Sequence, residues 1–139
     1  MAVHTSFVQL ESRGFSDVID ITEDVTYGIR DAGIRNGIVS IFVPGSTGSV
    51  TTIEYEEGVI EDLMAAIEKL APSHITYNHD RRWGDGNGFS HVRAALLKPG
   101  VTVPVIDGAP SLGTWQQVVF IDFDNRPRKR RIVVQIIGE

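Results

Sequence analysis

The sequence runs to 139 residues, enough for one domain with a core of its own and too short for two ordinary ones. Its 13 Lys and Arg against 18 Asp and Glu give a net charge of −5, which argues against nucleic acid as a partner. With no cysteine, a disulfide scaffold, a thiolate zinc site, an iron–sulfur cluster and a thiol nucleophile are all excluded.

Residues 3–10 and 17–21 read as strands separated by a turn at Arg13-Gly14. Thr22 is placed as an N-cap, with Glu23 and Asp24 facing the positive end of a helix over 23–32 that Gly33 stops. Residues 37–43 are nearly all apolar, the pattern of a strand covered on both faces. Pro44 to Gly48 form a loop, and 49–55 another strand. A helix over 58–70 is the clearest periodic segment, with Val59, Ile60, Leu63, Met64, Ile67 and Leu70 on one broad apolar face. A short strand over 75–79, a polar Gly-rich stretch over 80–88 and a short helix over 89–97 follow.

From residue 101 the pattern turns to β structure, punctuated by Pro104 and Asp107-Gly108. Residues 116–124 read as a strand, Asn125-Arg126-Pro127 as a turn, and 129–137 as a final strand with Ile132, Val134 and Ile136 on one face. The expected fold is a single α+β domain over 1–139, with a mixed or antiparallel sheet packed against two main helices. Two helices leave apolar strand surface uncovered, which points to an oligomer. No apolar run approaches the roughly 18 residues that span a bilayer. Met1-Ala2-Val3-His4-Thr5 lacks a leader pattern, so the expectation is a cytoplasmic protein with no membrane partner.

Four motif readings fail. Gly45-Ser46-Thr47-Gly48-Ser49 follows a strand but lacks the lysine of a phosphate loop and leads into another strand. The glycines of Gly84-Asp85-Gly86-Asn87-Gly88 are wrongly spaced for a dinucleotide site, and a calcium loop counted from Asp80 reaches His91 where a glutamate belongs. No serine sits in a nucleophile elbow.

The segment 77–91 concentrates chemistry, holding two of the four histidines together with Asp80, Asp85, Asn78 and Asn87. Imidazoles with a carboxylate are the usual divalent-metal ligands where thiolates are absent. A helix starting near Gly86 would put Asn87 and His91 one turn apart on one face. The competing reading is a polar surface loop with a capping Asn87 and a solvated His79. Glu54 at a strand end and Asp62 at the border of a helix face can supply a general base or metal carboxylates, or be ordinary surface acids. Trp115 reads as a packing group. Gln116 can bond either a ligand or the backbone. The run Arg126-Pro127-Arg128-Lys129-Arg130-Arg131 reads as a solvated hairpin end or a source of salt bridges between subunits, with an anion patch as the alternative. Period 2 places Arg128 and Arg130 on the opposite side from Lys129 and Arg131.

Ser111-Leu-Gly-Thr-Trp-Gln116, Phe120-Ile-Asp-Phe-Asp124 and Arg126 to Gly138 resemble the signature of the YjbQ-like family, often labelled secondary thiamine-phosphate synthase. Phe42-Val-Pro44, Thr52-Ile-Glu54 and Asp85-Gly-Asn87 followed by His91 extend the resemblance over essentially the whole chain. It implies a compact α+β homotrimer with a polar pocket near subunit boundaries. It also implies a weak thiamine phosphate synthase activity, which joins a pyrimidine-methyl diphosphate to a thiazole phosphate and releases pyrophosphate. Carried onto this chain, His79, His91 and Glu54 are the candidate catalytic residues, and Asn87 and Gln116 the candidate ligand-binding ones. His79, His91, Asp85 and Asp62 are the candidate ligands of a divalent metal, zinc or magnesium. Many members resemble one another in a His-Thr-Thr after Phe-Val-Pro, where this chain has Gly45-Ser46-Thr47. The expected partner is a phosphorylated small-molecule substrate, and a non-catalytic trimeric module binding a metabolite or metal is the alternative.

Overall fold

The computed structural model describes all 139 residues. In chain order the elements are β1 (Ala2–Ser12), β2 (Asp17–Asp20), α1 (Thr22–Ala32), β3 (Gly37–Phe42), β4 (Gly48–Ile53), α2 (Glu57–Leu70), α3 (Asn78–Trp83), α4 (Gly88–Leu97), β5 (Gly100–Ile106), β6 (Ala109–Pro110), β7 (Gln117–Asp122) and β8 (Arg128–Gly138). They form a five-stranded sheet in the order β1-β8-β3-β5-β6 and a three-stranded sheet in the order β2-β7-β4. Every pairing is antiparallel. The fold is thus α+β, with the two expected main helices α1 and α2, the short helix α4 expected over 89–97, and α3 in addition. None is long and apolar enough to cross a membrane.

Alternation along the strands builds the core. Val39 and Ile41 of β3, Val103 and Val105 of β5, and Ile132, Val134 and Ile136 of β8 point inward, where they meet Val25 and Ile29 of α1 and Val118 and Phe120 of β7. The opposite face of β7 carries Val119 and Ile121, which with Phe123 pack against Ile67 of α2 and Ala94 of α4. β7 is therefore the strand covered on both faces. The apolar β3 is covered on one only, because Ile38 and Phe42 remain 45% and 44% exposed on the outer side of the large sheet.

Local chemistry explains the other departures from the sequence pattern. Thr22 is the first helical residue of α1, and the cap comes from Asp20, whose Oδ1 accepts the Thr22 amide at 3.0 Å and its hydroxyl at 2.6 Å. Of the broad α2 face only Ile67 is buried, and Leu70 is 71% exposed. Trp115 is 73% exposed rather than a packing group. No strand forms over 75–79; helix α3 begins at Asn78.

Candidate functional site

Three segments meet at the site: the loop after β3, the corner between α3 and α4, and the turn between β7 and β8. The corner is held by Asp80. Its Oδ2 accepts the Tyr77 amide at 3.0 Å and its Oδ1 accepts the Gly88 amide at 2.8 Å, which ties the start of α3 to the start of α4. Those two backbone donors keep the Asp80 carboxyl below the ordinary range. Gly84 ends α3 in the left-handed conformation, at φ 74°. A Cβ at Gly88 would stand 2.6 Å from the Tyr77 Cβ, so the corner closes only around glycine.

This corner brings together His79 of α3 and His91 of α4, whose ring centroids are 4.4 Å apart with an interplanar angle of 37°. His79 Nδ1 lies 3.4 Å from Asp85 Oδ1 but makes no hydrogen bond, and it is buried without a partner. Burial holds the His91 imidazole below its ordinary pKa, and the neighbouring His79 adds to this, while Asp124, Asp85 and Asp80 pull the other way. His91 is accordingly neutral at pH 7, the form that can take a proton or a metal. Asn87 immediately precedes α4; its Nδ2 donates to Asp124 Oδ1 at 3.4 Å, leaving its Oδ1 buried and unpartnered.

The opposite wall comes from the basic run. Arg130 donates to both oxygens of the buried Asp122 at 2.8 Å and to Thr47 Oγ1 at 2.8 Å. Arg128 donates to Asp124 Oδ2 at 2.9 Å, and the same oxygen accepts from Thr47. These two arginines are thus paired with the chain's own carboxylates, Arg130 buried and Arg128 partly exposed, while Arg126, Lys129 and Arg131 of the same run are exposed. Arg126 is exposed and pairs with no carboxylate of the chain. Between the histidine corner and the arginine wall lies an open cavity of about 420 Å³, lined also by Ser46, Trp83 and Asp124.

The donor atoms that the structure groups closely enough for one divalent ion are those of His79, Asp80 and Asp85, all within 4.8 Å of one another. Two donors bound about 2.0–2.1 Å from one tetrahedral zinc stand roughly 3.3 Å apart. The Nδ1 of His79 and the Oδ1 of Asp85 have that spacing, at 3.4 Å. Asp80 also ties the corner, each of its oxygens accepting one backbone amide and keeping a second lone pair. It positions the two histidines.

Of the residues singled out in the sequence, His79, His91, Asp85 and Asn87 come together here. Glu54, Asp62 and Gln116 do not line this cavity. Glu54 and Asp62 are exposed elsewhere, and Gln116 is bonded to Thr52 Oγ1 and the Gly113 amide at 3.0 Å each. Asp124 and Thr47 were not among the candidates, and Arg128 and Arg130 were so only as part of the basic run. Their signal was present: Asp122 and Asp124 continue the inward phase of Val118 and Phe120, and Arg128 and Arg130 share the phase of Ile132, Val134 and Ile136. Charges in a core phase require partners.

The family model described as UPF0047 protein YjbQ-like matches residues 6–139. The chain belongs to the YjbQ-like UPF0047 family. A UPF0047 protein of Methanothermobacter thermautotrophicus is 38% identical over 139 residues, covering 100% of this chain and 95% of that one. Another, of Archaeoglobus fulgidus, is 39% identical over 121 residues, 87% of this chain and 91% of the other. Among solved structures, a YbjQ-like protein of unknown function from Sulfolobus solfataricus superposes with a TM-score of 0.89 at 29% identity, covering 99% of this chain and 100% of that one. A YjbQ/UPF0047 family protein from Clostridium acetobutylicum gives 0.86 at 28% identity, covering 95% and 99%. The YjbQ-like fold therefore extends over the whole chain, while the family's names assign no reaction to it.

Proposed function

We propose that this chain is a small-molecule enzyme whose substrate is phosphorylated and binds between the His79–His91 corner and the arginine wall. The observation that carries the reading is the pairing, across one cavity, of two imidazoles 4.4 Å apart with a rim of guanidinium groups that includes the unpaired Arg126. Guanidinium is the side chain best matched to a phosphoryl group, and a neutral imidazole the one best matched to proton transfer at pH 7. Arg126 and Arg128 face the phosphoryl end, and His91 acts as general base. Asn87 offers its free Oδ1 to a donor on the substrate.

His79, Asp80 and Asp85 would hold a divalent ion, zinc suiting the imidazole and magnesium the carboxylates, which leaves His91 free as the base. When bound, the ion neutralises charge on a leaving phosphate or diphosphate. The family resemblance supports thiamine phosphate synthesis as one reaction, and metal-assisted phosphoester hydrolysis uses the same groups.

We propose further that the chain assembles as a homotrimer through the outer face of the large sheet. On that face Val3, Ile137 and Ile38 are cross-strand neighbours, as are Phe7, Val133 and Phe42, giving two apolar rows across β1, β8 and β3.

The test is release of pyrophosphate from the thiazole phosphate and pyrimidine-methyl diphosphate pair, and of phosphate from a phosphomonoester panel, each with zinc or magnesium. Turnover should fall about 10²–10⁴-fold in His91→Gln, the range for losing a general base. Binding of a phosphorylated compound with no turnover anywhere in the panel would replace the enzyme with the non-catalytic binding module.

A further inference from the structure

A second cavity, of about 250 Å³, opens on the other side of His91. Gly45, Ser46 and His91 line both cavities, so the two adjoin at the histidine. Their linings differ in kind. The first is walled by Arg126, Arg128, Asp85 and Asp124, and the second by Ala94, Ala95 and Pro99 with no charged side chain. Gly45, on the rim of both, faces the arginine wall: a Cβ there would sit 3.3 Å from the Arg130 guanidinium. Small residues leave the second cavity unfilled. An apolar cavity of about 150 Å³ is enough to hold a benzene ring.

We propose that this second cavity is a subsite for an uncharged, apolar ring, and that the natural ligand is an organic phosphate reaching across His91. Its phosphoryl group lies against Arg126 and its single ring against Ala94, Ala95 and Pro99. The proposal rests on the phosphate reading of the first cavity and deepens it by naming the second half of the substrate. The apolar lining gives binding energy that inorganic phosphate cannot collect, and it rejects a second charge at that end, which would lie there unpaired. A polyphosphate running through both cavities is excluded on the same ground.

Calorimetric titration with inorganic phosphate and with phenyl phosphate tests this in the parent, in Ala95→Leu and in Arg126→Ala. Both substitutions fall at exposed positions, and leucine is a strong helix former, so the variants keep the fold. Phenyl phosphate should bind the parent roughly tenfold or more tightly than inorganic phosphate, as burial of one ring implies. Ala95→Leu should erase that margin while leaving inorganic phosphate unchanged, and Arg126→Ala should weaken both ligands. If inorganic phosphate binds and responds to Arg126→Ala but phenyl phosphate gains nothing, or keeps its gain in Ala95→Leu, the apolar subsite is overturned and the phosphate cavity stands. If neither ligand binds, both readings fall.

Discussion

Asp122 and Arg130 lie in the interior, 0% and 6% exposed at their side chains, with both carboxylate oxygens engaged by the guanidinium. Burial alone would raise the Asp122 pKa, but the hydrogen bonds from Arg130, Ser12 and the Asp124 amide outweigh it and the net shift is downward. Truncating one partner leaves the other charge buried alone, so Asp122→Ala should lose about 3–5 kcal/mol in urea unfolding. A double replacement by apolar residues of similar size should lose much less. Equal losses in the single and double variants would show that the pair's packing, and not its charge, holds the site's back wall. That wall was half legible in the sequence. The inward phase of Arg128 and Arg130 can be read from β8 alone, but their carboxylate partners cannot. β7 and β8 belong to different sheets, and no local periodicity reports a contact between sheets.

At the scale of elements, the α3–α4 corner is secured from behind by Glu68 of α2. Its Oε1 accepts the Ser73 amide at 2.9 Å, and its Oε2 accepts from Arg93, whose Nε donates to the Ala71 carbonyl at 3.0 Å. The Ser73 amide, and then Arg93, hold the Glu68 carboxyl at about 2 against an ordinary 4.5, although its partial burial works the other way. A depressed carboxylate pKa gives stability that is present above 4.5 and is lost as pH falls toward 2. The melting temperatures of the parent and Glu68→Gln should therefore differ at pH 6 and converge at the acid end of that window. A constant gap across the window would remove Glu68 as the acid-sensitive tie. The long, periodic α2 was plain in the sequence because one apolar stripe marks it. Helix α3 was not, because Asn-His-Asp-Arg-Arg-Trp has no stripe and its helix depends on the Asp80 carboxylate serving two amides. Missing α3 also hid how closely His79 approaches His91.

For the whole molecule, the one-sided burial of the large sheet is the dominant unexplained surface. Val3, Phe7, Ile38, Phe42 and Ile137 remain 61%, 46%, 45%, 44% and 39% exposed on adjacent strands, in two apolar rows either side of Thr5, Gln135 and Ser40, and exposed apolar surface of this kind marks an interaction face. Phe42→Asp should shift a trimer to monomers in sedimentation velocity, whereas Tyr27→Asp, at an exposed position on α1, should not. A parent that sediments as a monomer at all concentrations would assign that face to some other partner. The apolar surplus was legible in the β3 sequence, but which strand lay between two layers was not. β3 and β7 read alike, and only the packing of α2 and α4 on β7 distinguishes them.

The metal content of the protein, purified without chelators, tests the central claim most directly when the parent and His79→Ala are compared by inductively coupled plasma mass spectrometry. The His79, Asp80 and Asp85 arrangement predicts near-stoichiometric divalent metal in the parent and its loss in the variant. A metal-free parent that also takes up no zinc on dialysis, or a metal content unchanged in His79→Ala, would contradict a metal-assisted site at this corner.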